Sequence, residues 1–114
     1  MTITGFLEAR IAEDEAIARH AGSCDYYDDI DESVPLADER NHVLRHDPAR
    51  VLRETAAKRK ILAAYIEAEK RRPSGAYGYE EGESYGEAEA LLGVVRALVA
   101  VHGSHPDFDP AWAG

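Results

Sequence analysis

The run His46-Asp47-Pro48 breaks any helix that reaches it and starts another immediately afterwards. Proline disfavours the helical region for the residue before it, so a helix carrying His42 and His46 has to stop by about residue 46. Asp47 is a preferred N-cap, and Pro48 stands in the first helical turn, where its missing N–H would have no partner in any case. One helix therefore ends and another begins within two residues, and Asp47 with Pro48 forms a structural corner. A chain built around such a corner is helical on both sides of it.

Apolar periodicity extends that expectation along the chain. Ile3, Phe6, Leu7, Ile11, Ile17, Ala18 and Ala21 fall on one arc at helical spacing, which predicts a first helix over residues 3–21 with Gly22 as its stop. Pro35 opens a short second helix to His46, with Leu36, Val43 and Leu44 on one side. The third runs from Pro48 to Arg72 with Val51, Leu52, Thr55, Leu62, Tyr65 and Ile66 on its face, and Pro73 ends it. Ser84 and Glu87 have the spacing of a capping box ahead of a fourth helix that carries Ala88, Leu91, Leu92, Val95, Leu98 and Val99 to His102. Between these lie an acidic loop over 22–34, a Tyr/Gly-rich loop over 73–86 and a tail after Gly103 with two prolines, Phe108 and Trp112. The expected fold is all-α: a single domain over 1–114, a small bundle of about four helices with an extended C-terminal tail.

No apolar run approaches the ~18 residues of a membrane span, and the start Met-Thr-Ile-Thr-Gly-Phe has neither the basic residues nor the apolar stretch of a secretory signal. The single cysteine, Cys24, permits no intrachain disulfide, so the compartment implied is a reducing cytoplasm. Charge is unevenly placed. Residues 40–72 hold ten Lys and Arg against four acids, a local +6 within a net charge of −9, which leaves −15 for the remainder. No Lys or Arg stands between Arg19 and Arg40, where Asp25, Asp28, Asp29, Asp31, Glu32, Asp38 and Glu39 accumulate. The two halves attract each other within one chain or between copies.

Several side-chain sets could carry chemistry. Glu39, His42 and His46 stand at i, i+3 and i+7 on one side of the second helix. A carboxylate and two imidazoles converging there can ligate a divalent ion, zinc first, with His105 or Asp107 of the tail completing the set. No cofactor is demanded by this pattern; histidines on the helix surface, with His46 facing the helix end, are the preferred reading. Arg10, Asp14 and Arg59 point toward the presumed core, where they form an ion-pair network or, with one arginine unspent, an anion pocket. Arg50, Arg53 and Lys60 make a basic stripe, but a pI near 4.9 and the lack of an adjacent aromatic argue against nucleic acid. Asp25, Tyr26, Tyr27, Asp28, Asp29 and Asp31 combine carboxylates with tyrosines, which suits a basic groove on a partner, though ordinary solubility accounts for the charges and is the preferred reading. There is no phosphate-cradling glycine loop and no nucleophile elbow.

The run His42-Val-Leu-Arg-His-Asp-Pro-Ala-Arg-Val-Leu-Arg-Glu54 continuing into Ala57-Lys-Arg, together with Leu7–Glu15, His105-Pro-Asp-Phe and Trp112, resembles an uncharacterised family of small proteins from actinobacteria and their phages, a domain of unknown function. His42, His46, Asp47, Pro48, Arg50, Arg53, Glu54, His105, Asp107 and Trp112 match its recurring positions, over about two-thirds of the chain. The resemblance implies no activity. It does imply an arrangement in which the tail meets the corner, bringing His105 or Asp107 to His42 or His46. The leading reading is an acidic, non-enzymatic interaction or regulatory protein, of phage or mobile-element origin, that acts on a protein partner or as a homodimer, away from membranes and nucleic acid. The alternative is a metal-binding domain, hydrolytic if the ion activates a water.

Overall fold

Thr2 starts the first helix. The Gly5 backbone N–H donates to Thr2 Oγ1 at 3.0 Å and the Phe6 N–H donates to the Thr2 carbonyl at 2.9 Å, so the Thr2 side chain satisfies one orphan donor of the helix start while its carbonyl accepts the first helical bond. Helix α1 spans Ile3–Gly22, α2 spans Pro48–Lys70, α3 spans Tyr79–Ala100, and a 3-10 helix follows at Pro110–Ala113. The computed structural model describes residues 1–22, 46–71 and 79–113, giving the backbone alone for residues 22 and 79–85. Among the described residues the fold is all helical, with three α-helices and no strand. Of the expected second helix over 35–46 only His46 is described, in a turn, and the acidic stretch after Gly22 lies outside the described residues.

Two further starts use one device. The Arg50 N–H donates to Asp47 Oδ1 at 2.8 Å and the Val51 N–H to the Asp47 carbonyl at 3.0 Å, with Pro48 as the first helical residue. In the tail the Ala111 N–H donates to Asp109 Oδ1 at 2.9 Å and the Trp112 N–H to the Asp109 carbonyl at 2.9 Å, with Pro110 first in the 3-10 helix. Each Asp-Pro pair supplies a cap and a φ already suited to the helix. The tail is therefore not extended as expected. Successive turns carry it from Val101, the His105 N–H donating to the His102 carbonyl at 2.9 Å and the Phe108 N–H to the His105 carbonyl at 3.0 Å.

The fourth expected helix also starts elsewhere. α3 begins at Tyr79, so Ser84 lies inside it rather than at a capping box, and the half of the Tyr/Gly-rich stretch from 79 to 86 is helical. Gly82 and Gly86 each cost ~1 kcal/mol against alanine in a helix interior.

Inner positions recur in alternating steps of four and three on all three helices. They are Leu7, Ile11, Asp14, Ala18 and Ala21 on α1; Val51, Thr55, Lys58, Leu62 and Tyr65 on α2; and Ala88, Leu92, Val95 and Val99 on α3, every one buried or half-buried. A mean step of 3.5 keeps these positions on one face, or seam, of each helix. Ile17 and Ile66, assigned to the apolar faces by periodicity, stand at their edges and are 68% and 37% exposed.

The chain forms two compact units, Met1–Arg10 with Lys58–Gly114, and Ile11–Ala57; α1 and α2 each run through both. The first holds most of the buried apolar side chains: Phe6, Leu7, Leu62, Tyr65, Ala68, Ala88, Val95 and Val99. The second holds Ile11 and Ala18, with Thr55 and Glu15 as its buried polar residues. Thr55 Oγ1 donates to the Leu52 carbonyl at 3.0 Å, so its hydroxyl is satisfied within its own helix. Among the described residues no helix is long and apolar enough to cross a membrane.

Candidate functional site

In the second unit, the C-terminal half of α1 and the start of α2 enclose a groove of about 190 Å³, lined by Asp14, Ile17, Ala18, Ala21, His46, Pro48 and Val51. Its origin is in the sequence. Ala18 and Ala21 occupy seam positions where a larger residue would fill the space, and Pro48 and Val51 present short side chains from the first turn of α2. The Asp47 cap holds that turn in place. Asp14, half-buried, and His46, exposed at the turn before the cap, are the polar members. Ligand pockets for small molecules run to roughly 300–1,000 Å³. A groove of about 190 Å³ with an aliphatic floor accommodates an apolar side chain instead.

The residues singled out from sequence fall in separate places. His46, Asp47 and Pro48 belong to this groove and its wall. Arg50 stands one turn further on, its Nε paired with Glu54 Oε1 at 3.1 Å, and Arg53 is exposed. Of the three charges expected to meet in the core, Arg10 is 8% exposed, Asp14 lines the groove and Arg59 is exposed on α2. The Arg10 guanidinium lies over the Phe6 ring, 5.2 Å from its centroid, with Nε and Nη1 buried and making no hydrogen bond there. A cation over an aromatic face recovers part of the solvation it gives up. Glu15, which periodicity did not mark, is buried and faces Arg19 Nη2 at 3.8 Å. Glu39, His42 and Asp25 through Asp31 lie outside the described residues.

His105 and Asp107 belong to the first unit, in the tail. The Asp107 N–H donates to His105 Nδ1 at 3.0 Å, so the neutral ring carries its proton on Nε2. A metal bound at Nε2 would require that proton to move to Nδ1 and the bond to break. Among the described residues no three His, Cys, Asp or Glu side chains stand together as an ion requires. The His105 ring packs instead against Phe6, with centroids 5.5 Å apart in an edge-on arrangement. His102, Phe108 and Trp112 surround the same ring at 6.2, 6.2 and 5.1 Å. Sequence marked Phe108 and Trp112 as anchors. Their socket was missed, although the repeated Asp-Pro at 109–110 signals a turn that folds the tail back.

A wider depression of about 430 Å³ in the first unit is lined by Thr2, Ile3, Thr4, Tyr65, Ile66, Glu69 and Lys70. Its polar groups already serve local structure: Thr2 Oγ1 caps α1, and Lys70 Nζ pairs with Glu67 Oε1 at 3.1 Å. It presents no convergent set of groups to a ligand.

The model for a family of unknown function (DUF6221) matches residues 1–114, and the chain belongs to that family. No curated protein and no solved structure matches it.

Proposed function

We propose that this member of the family is a non-enzymatic interaction protein that seats an apolar side chain of a protein partner in the α1–α2 groove of its second unit. The observation that carries this reading is the groove's make-up: five apolar residues, one carboxylate and one imidazole, in a volume of about 190 Å³. That chemistry suits burial of a side chain with one polar contact at the rim, and offers no nucleophile beside a base. Charge supports the same reading. The acidic run from Asp25 to Asp31 begins four residues after Ala21 in sequence. A partner with an apolar side chain flanked by Lys or Arg meets both features. The process in which such a partner acts, of phage or mobile-element origin, belongs to the same proposal.

A photoreactive amino acid at position 17, which is 68% exposed at the groove edge, tests it. The expected result is a specific partner adduct that disappears with Val51→Asp and weakens when Asp25, Asp28, Asp29 and Asp31 are changed to Asn. An adduct indifferent to both changes, or none at all, sinks the reading.

A further inference from the structure

One charged group of the α1–α2 groove is uncommitted. Asp14 is half-buried in its wall and, among the described residues, makes no hydrogen bond or ion pair. The arginines nearest to it on α1 and on the first turn of α2 are engaged elsewhere. Arg10 has its guanidinium over the Phe6 ring, Arg19 faces Glu15 at 3.8 Å, and Arg50 Nε pairs with Glu54 Oε1 at 3.1 Å. Water solvates the Asp14 carboxylate, and it enters through the open groove. A purely apolar occupant would displace that water and leave the carboxylate covered with no counter-charge. An uncompensated charge taken out of water opposes whatever the aliphatic contact gains.

We propose that the partner segment carries a lysine or arginine whose cation pairs with Asp14 while the apolar side chain beside it lies against Ala18 and Ala21. Along α1 these alanines stand about 6 and 10 Å from Asp14, at ~1.5 Å per residue. A lysine or arginine one to four positions from the seated side chain spans that distance, and its methylenes extend the apolar contact. The wall shields Asp14 from part of the solvent, so this pair is stronger than one between fully exposed side chains. It also sets specificity. An acidic residue at that place meets a like charge, and an apolar one strands the carboxylate.

This inference rests on the groove reading and names the residue that the groove's partner must carry. Selection of a displayed library of random peptides against the full chain tests it, in salt high enough to screen the net charge of −9. The wild type is expected to enrich sequences with an aliphatic residue and a Lys or Arg within four positions of it. With Asp14→Lys as bait, Asp or Glu is expected in place of that cation. Asp14→Asn keeps the shape of the side chain and removes no internal contact, so its melting temperature should match the wild type. It is expected to weaken a selected peptide at least about tenfold. Replacing the peptide's cation by alanine should cost the same, with little further loss when the two changes are combined. Selected sequences that lack a cation, or whose cation is indifferent to both Asp14 variants, overturn the inference. If those sequences are still lost with Val51→Asp, the groove reading stands without it. Sequences indifferent to Val51→Asp, or none enriched at all, overturn both.

Discussion

The socket around Phe6 and the groove beside His46 use two parts of α1 in opposite ways. At Phe6 the ring is 0% exposed, an arginine lies over its face and four aromatic or imidazole rings of the tail surround it. At the groove, α1 turns alanines toward the seam and leaves about 190 Å³ unfilled. The first region has large side chains in close contact. The second keeps apolar surface open beside charged residues. Large buried side chains and open apolar surface thus occur at different points along α1.

The comparison breaks most readily at Phe6. Phe6→Ala removes the ring against which His102, His105, Phe108 and Trp112 all pack, and buried Phe→Ala changes cost ~3–5 kcal/mol. We expect a fall of that size in urea unfolding. Trp112, the only tryptophan, should report loss of the socket through its fluorescence. Trp112→Ala is expected to cost less, ~2 kcal/mol, because Trp112 is half-buried and Phe108 keeps its own contact with Phe6. Should either change leave the unfolding midpoint unaltered, the socket is not where the stability resides.

How much of this was legible in the sequence depends on the range of the interaction. The start at Asp47-Pro48 follows from groups within a turn of each other, and the structure has it where local rules place it. The face of α3 was legible for the same reason, since Ala88, Val95 and Val99 repeat at helical spacing. The start of α3 was not. Its glycines outweigh three glutamates on a propensity reading, and only the structure shows the helix reaching back to Tyr79. The Phe6 socket joins residues about a hundred positions apart in sequence, beyond any periodic signal. The groove is legible only in retrospect, because an alanine at a seam position reads as core until its neighbours leave it uncovered.

The two Asp-Pro starts sharpen the comparison at a smaller scale. Asp47→Ala removes the acceptor of the Arg50 N–H and is expected to cost ~1 kcal/mol, as N-cap losses do. Asp109→Ala removes the acceptor of the Ala111 N–H in a 3-10 helix of only four residues. Its cost is expected to be no larger in unfolding, yet it should loosen Trp112, whose own N–H donates to the Asp109 carbonyl. Hydrogen exchange at Ala111 and Trp112 would show faster opening for Asp109→Ala and no change for Asp47→Ala. Equal exchange in both variants would mean that the caps of the two units do not act separately.

The smallest expected effect on stability decides most about function. Ile17 is a large apolar residue at the groove edge, and 68% of it is exposed. Replacing it by serine removes little buried surface, so unfolding should shift by no more than ~0.5 kcal/mol, the range of ordinary surface changes. If the groove serves only the fold, Ile17→Ser is silent in every assay. If it seats a partner, the same change removes apolar area from the contact and capture falls while the melting temperature holds. Val51→Ala, from the opposite wall, provides the control. Val51 is half-buried, so its loss costs some stability as well as capture, and the ratio of the two effects should differ between the walls. Parallel losses in stability and capture for both variants would place the groove with the Phe6 socket, as part of the core.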